Sequence, residues 1–119
     1  MEYDPQNIFA RILRSEIPVK KVLENEHCLA FHDAFPKAPV HILLIPKGTY
    51  LSFDDFSAQA SEGELTSFFR ALGKIARDYG LDKDGYRIIA NHLTYAGQEV
   101  FHFHMHLLGG VPLGPMVCR

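Results

Sequence analysis

The chain has 119 residues, of which 47% are hydrophobic and 22% charged, and its formal net charge is -2 at pH 7. That length suits a single domain spanning residues 1–119 with its own apolar core, and the composition is far from disordered or collagen-like chains. The slight acidity removes the basic field on which strong nonspecific nucleic-acid binding depends, so no polynucleotide partner is expected.

Cys28 and Cys118 form no CxxC pair or larger framework, which reads as free thiols in a reducing compartment. "MEYDPQNIFA" lacks the basic and then apolar regions of a signal peptide, and no apolar run approaches a membrane span. A cytoplasmic protein without a membrane partner is the expectation.

In chain order, "QNIFARILRS" carries Ile8, Phe9, Ile12 and Leu13 at helical spacing behind a capping Asn7, a short helix that "EIPVK" ends. "KVLEN" and "CLAFHDA" read as a hairpin, the second strand placing Leu29, Phe31 and Asp33 on one face and Cys28, Ala30 and His32 on the other. After the turn "FPKAP" comes "VHILLIP", apolar on both faces as in a buried strand, with His41 out of place near its start. "SEGELTSFFRALGKIARDYG" is the long helix. Ser61 and Glu64 make a capping box, Leu65, Phe68, Phe69, Leu72, Ile75, Ala76 and Tyr79 form an apolar stripe, and Gly80 terminates it. "YRIIANH" and "VFHFHMHLL" are the last strands, joined by "LTYAGQE". The expected fold is α+β: an antiparallel sheet of about five strands with one long and one short helix.

"HFHMHLLGG" places His102, His104 and His106 on one side of the final strand and Phe101, Phe103, Met105 and Leu107 on the other. A zinc ion on all three is disfavoured, because the outer pair is roughly 13 Å apart at about 3.3 Å per residue. Zinc binds nitrogen at only about 2 Å, and no HExxH or cysteine pair completes such a site, so no metal and no cofactor are expected. Imidazole titrates near neutrality, so one ring is free to attack phosphorus while a neighbour carries a proton. His27, His32 and His92 lack such a setting and read as surface or rim residues.

"HFHMHLL" satisfies His-φ-His-φ-His-φ-φ with φ apolar, and the chain here resembles the histidine triad (HIT) family. The resemblance runs through "IFARILRSEIPVKKVLENEHCLAFHDAFPKAPVHILLIPK" and "YRIIAN...AGQEVFHFHMHLLGG" to the tail "PLGPM", which resembles bacterial members. Within the family it is most similar to the histidine triad nucleotide-binding branch, the purine nucleoside phosphoramidases; a triad ending in Gln would have suggested the transferases.

The resemblance implies a HIT-like fold, a homodimer in which two five-stranded sheets join, and a purine nucleotide as small-molecule substrate. It implies that His104 attacks the α-phosphorus of a phosphoramidate or acyl-adenylate, His106 assists the departing group, His102 orients the site and His41 supports the triad from a neighbouring strand. It also implies Asp33 on the ribose, Phe31, Ile8, Phe9 and Ile12 around the base, and Asn91, Gly97, Gln98 and Glu99 along the nucleotide's phosphate side. Ala96 and Glu99 stand where many relatives outside bacteria have Gly and Ser; an ionised carboxylate cannot donate to phosphate and repels it unless turned away, so contact of Glu99 with substrate stays open, with leaving-group selection as one role for it. The competing readings are a nucleotide-binding or partner-binding module with incidental hydrolysis, and a dinucleoside polyphosphate hydrolase.

Overall fold

The computed structural model describes residues 1–118. Five strands, β1 (Lys21–Glu24), β2 (Cys28–His32), β3 (Val40–Pro46), β4 (Tyr86–Ile89) and β5 (Met105–Gly109), form one antiparallel sheet in the order β1-β2-β3-β5-β4. The helices are α1 (Ile8–Leu13), α2 (Phe53–Gln59), α3 (Glu62–Asp78), α4 (Leu81–Asp84) and α5 (Leu93–Ala96). The expected short and long helices are α1 and α3. The other three are additional. For α2 the reason is local: the Asp55 carboxylate accepts from the backbone N–H groups of Leu51 and Ser52 at 2.7 and 2.8 Å, which satisfies donors at the helix start. The remaining two are four-residue segments too short for periodicity to reveal.

Alternation along the strands divides the apolar residues into two layers. On one face Cys28, Ala30, Ile42, Leu44, Phe103, Met105 and Leu107 pack with Phe68, Leu72 and Ile75 of α3 and Phe56 of α2. On the other, Leu29, Phe31, Leu43 and Ile45 pack with Phe9 and Ile12 of α1. The stripe of α3 is narrower than its sequence suggests. Phe69 and Tyr79 are 45% and 41% exposed, and Ala71 is buried instead, because the helix turns its Phe68–Leu72–Ile75 line onto the sheet. Its Ser61 and Glu64 cap is reciprocal: Glu64 N–H donates to Ser61 Oγ and Ser61 N–H to the Glu64 carboxylate.

The final strand is shorter at its start than "VFHFHMHLL", since ladder pairing begins at Met105 opposite Leu44. Continuing that register would set Phe103 opposite Pro46, which has no N–H to donate. The Phe103 N–H goes instead to the Tyr50 carbonyl at 2.7 Å. His102 and His104 therefore precede the strand and only His106 lies in it, although Phe103 and Met105 still point into the α3 layer. Pairing of β4 likewise ends at Ile89, before "ANH". The two glycines after the triad have separate causes. A Cβ on Gly109 would come within 2.8 Å of Leu81, and Gly110 takes a φ of +98°.

Candidate active site

Sheet register brings the first two imidazoles together. His41 lies opposite Leu108 and His106 opposite Leu43, so the two histidines are diagonal neighbours on β3 and β5, on the face away from α3. His41 Nε2 is 2.9 Å from His106 Nδ1. This accounts for the imidazole that interrupts an otherwise apolar strand. On the same face the ring of His104 lies 5.2 Å from that of His106, and Phe9 of α1 meets it edge-on at 4.9 Å.

Hydrogen bonds fix which nitrogen of each ring carries the proton. The Lys37 backbone N–H donates to His41 Nδ1 at 3.0 Å, so the proton of neutral His41 is on Nε2. That proton donates to His106 Nδ1, with Asp33 Oδ2 a further 3.4 Å neighbour, and His106 in turn carries its own proton on Nε2. His104 is the reverse. Its Nδ1 lies 2.8 Å from the carbonyl of His102, which can only accept, so Nδ1 is protonated and Nε2 holds a free lone pair. No fully buried side-chain nitrogen or oxygen among the described residues lacks a partner, so the Nε2 atoms of His104 and His106, which have none, reach solvent. One ring presents a nucleophile and its neighbour a donor.

Burial keeps the rings neutral. Desolvation is the main cause of the lowered pKa of His41, His104 and His106; His106 is pushed down to about 4, with His104 and His41 adding to the effect. Asp33 and Glu99 oppose the shift at His104 without reversing it. The 3.4 Å approach of Asp33 Oδ2 to His41 Nε2 is therefore not an ion pair at pH 7, because the ring is neutral.

His102 stands apart from this cavity. It is fully buried, its Nε2–H donates to the Pro46 carbonyl at 2.8 Å, and its Nδ1 accepts from the hydroxyl of Tyr3. Burial lowers its pKa to about 4 as well. With both nitrogens committed, it meets the site only through its backbone carbonyl.

A cavity of about 640 Å³ opens over His104, His106 and His41. Ile8, Phe9, Ile12 and Phe31 form an apolar wall, while Asp33, Asn91, Gly97 and Glu99 supply polar groups. Asp33 Oδ1 accepts from the Phe35 N–H at 2.8 Å, so one of its oxygens is held by the turn after β2. Gln98, expected at the nucleotide, is instead buried and does not line the cavity. Its Oε1 accepts from Ser52 Oγ and Leu93 N–H, and its Nε2 donates to the Leu51 and Val100 carbonyls. Ser52 Oγ also accepts from His92 Nδ1 at 2.8 Å. Gln98, Ser52 and His92 thus pin the segment that carries Asn91, Gly97 and Glu99. Sequence reasoning missed Ser52 and the bond made by His92, as well as Tyr3 and the Lys37 amide. Each acts through a partner distant in sequence or through a backbone atom, so no local pattern marks them.

The ligand atoms of Asp33, His41 and His106 also lie within 4.8 Å of one another, a spacing compatible with a metal ion. This trio differs from the sequence triad, in which His102 is fully committed.

Residues 14–113 match the model of the HIT domain. The chain belongs to the HIT domain family. Its similarity to a HIT-like protein of Azospirillum brasilense is 58% identity over 98% of this chain and 96% of that one. The purine nucleoside phosphoramidase of Escherichia coli K12 is 46% identical over 96% of this chain and 95% of its own. Among solved structures, a HIT family hydrolase from Legionella pneumophila superposes with a TM-score of 0.85 at 37% identity, over 92% and 96% of the two chains. The HIT fold thus accounts for the sheet and the helices packed on it, and the relative from Legionella pneumophila is a hydrolase by name. The α1 segment and Tyr3 precede the matched span, yet Phe9 and Tyr3 touch two of the triad histidines.

Proposed function

We propose that this protein is a purine nucleoside phosphoramidase, cleaving the P–N bond of purine nucleoside 5′-phosphoramidates, and the P–O bond to the acyl group of aminoacyl adenylates, to the nucleoside monophosphate. The observation that carries this reading is the opposed protonation of adjacent rings, His104 with a free Nε2 and His106 with a protonated one. The full-length similarity to a phosphoramidase supports it.

In the first step His104 Nε2 forms a bond to the α-phosphorus and the P–N bond breaks, its electron pair staying on the leaving nitrogen. That nitrogen takes the proton from His106 Nε2. The His41 Nε2–H held on His106 Nδ1 supports the ring while it is short of a proton. In the second step water adds to phosphorus, one of its protons returns to His106, and the electron pair of the N–P bond returns to His104. No step requires a metal. Ile8, Phe9, Ile12 and Phe31 are placed to hold the base, Asp33 to accept from ribose hydroxyls, and Asn91 and the Gly97 N–H to meet phosphate oxygens. Glu99, exposed at the rim, is left to face the leaving group. His102 and Gln98 serve the site by holding its frame.

The reading extends to a cytoplasmic homodimer joined along the edge strand β4, where Tyr86 and Ile88 are each 44% exposed. Light scattering tests the dimer directly.

Phosphorus NMR of adenosine 5′-phosphoramidate incubated with the protein and a strong chelator tests the activity. Conversion to AMP is expected, and a loss of roughly 10⁴-fold in His104→Ala. Activity that returns only with zinc would replace the metal-free mechanism, and preference for a P–O–P bridge over P–N would mark a dinucleoside polyphosphate hydrolase.

A further inference from the structure

The N-terminal segment crosses from outside the matched HIT span to the back of the triad, and there Tyr3 makes a contact that the reaction as described leaves unused. Its hydroxyl lies 2.5 Å from His102 Nδ1, and the two rings meet edge-on at 5.6 Å. His102 is 0% exposed and has no water to turn to. Its Nε2 faces the Pro46 carbonyl, which accepts only, so Nε2 carries the proton of the neutral ring and Nδ1 must accept. Tyr3 is consequently the donor. The carbonyl of the same residue, His102, receives the Nδ1–H of His104 at 2.8 Å and so holds the nucleophile's tautomer.

We infer that Tyr3 is a positioning residue for the nucleophile: by tying down the His102 ring it fixes the His102 carbonyl on which the orientation and tautomer of His104 depend. This rests on the function proposed above only in naming the reaction that reads it out. The mechanical chain is Tyr3 Oη, His102 Nδ1, His102 carbonyl, His104 Nδ1, and its far end is the Nε2 lone pair. Removal of the hydroxyl strands an acceptor in a site without solvent, and the His102 ring is driven to tilt toward another partner. A nucleophile displaced by a fraction of an ångström loses near-attack geometry while the distant base slot is unchanged. The effect belongs in kcat.

Tyr3→Phe keeps the ring and removes only the hydroxyl. A second tyrosine supplies the control, because Tyr79 also reaches a histidine, His32, at 3.3 Å, but in an exposed setting at the C-terminal end of α3. Two readouts are needed. In nitrogen-15 NMR of the free protein, His102 Nδ1 is expected as an unprotonated, hydrogen-bonded nitrogen that shifts toward the free-acceptor range in Tyr3→Phe, with the His104 Nδ1–H exchanging faster with solvent. With adenosine 5′-phosphoramidate, kcat is expected to fall about ten-fold with KM held within about two-fold, the low end of what outer partners cost at metal centres. Tyr79→Phe should match the parent in both.

A protonated Nδ1 in the parent, an unchanged His104 Nδ1–H in Tyr3→Phe, or a change confined to KM would overturn the inference. The NMR arm needs no substrate. A parent that leaves the phosphoramidate intact therefore defeats the proposed function alone, and the coupling from Tyr3 to His104 still stands or falls on the resonances.

Discussion

The two faces of the sheet use aromatic rings for opposite ends. Under α3, Phe56 and Phe103 stack at 4.7 Å and Phe68 closes on both, all three at most 1% exposed. Under α1, Phe9 leans edge-on against His104 and Phe31, and His41, His102 and His104 are buried with them. One face removes apolar surface from water and has no polar obligation. The other buries imidazoles, which must stay neutral and hydrogen-bonded to remain there. Burial thus produces stability on the first face and reactive protonation states on the second.

Matched truncations separate the two. Phe56→Ala opens a cavity at the centre of the apolar layer and is expected to destabilise by about 3–5 kcal/mol, with kcat of the folded fraction unchanged. Phe9→Ala removes a ring that already borders a cavity, so its stability cost is smaller, about 2 kcal/mol by the lower range for buried hydrophobic residues. Its kcat falls because His104 loses the edge that holds it. Urea unfolding together with kinetics on both variants checks the contrast; equal kinetic losses would show that the faces are mechanically coupled.

Much of this division is legible in the sequence, because it rests on period-two alternation. Leu29 and Phe31 against Cys28 and Ala30, and His104 and His106 against Phe103 and Met105, separate as the pattern requires. Capped helices are legible too, since Asn7 and Ser61 announce α1 and α3 through local chemistry. What is hidden depends on partners far along the chain. The late start of β5 is set by Pro46, nearly sixty residues upstream, with His102 and Pro46 themselves 56 apart. Gln98 sits in a motif that suggests ligand contact, yet its amide goes to Leu51, Ser52, Leu93 and Val100. The proton positions on four imidazoles follow from backbone groups of Lys37, Pro46 and His102, which no spacing rule reaches.

Acid should attack the two faces unequally. An unfolded histidine protonates near pH 6.5, whereas His102 and His106 remain neutral in the fold until about pH 4. Between those values the unfolded chain binds more protons, so stability is full above about pH 6.5 and declines as pH falls toward 4, by up to about 1.4 kcal/mol per pH unit for each ring. Urea melts at stepped pH measure the slope. His102→Asn should flatten it by about one proton, while Phe56→Ala should lower the whole curve without changing its slope.

The finest contrast lies in the helix caps. Asn7 Oδ1 accepts from Ala10 N–H at 2.9 Å at the start of α1, and Ser61 Oγ accepts from Glu64 N–H at 3.1 Å at the start of α3. Replacing either by Ala removes one cap hydrogen bond and is expected to cost about 1 kcal/mol. The consequences diverge because the helices serve different faces. With 17 residues and a buried stripe, α3 keeps its place when its first turn loosens, so Ser61→Ala should leave kcat unchanged. The six-residue α1 has little beyond its first turn, and that turn carries Phe9. Asn7→Ala should therefore lower kcat several-fold at the same stability cost, on the order of the loss from a slightly misplaced reacting group. Thermal melts establish that the two stability costs match, and kinetics on the same samples then read the difference between a helix that only packs and one that holds the nucleophile.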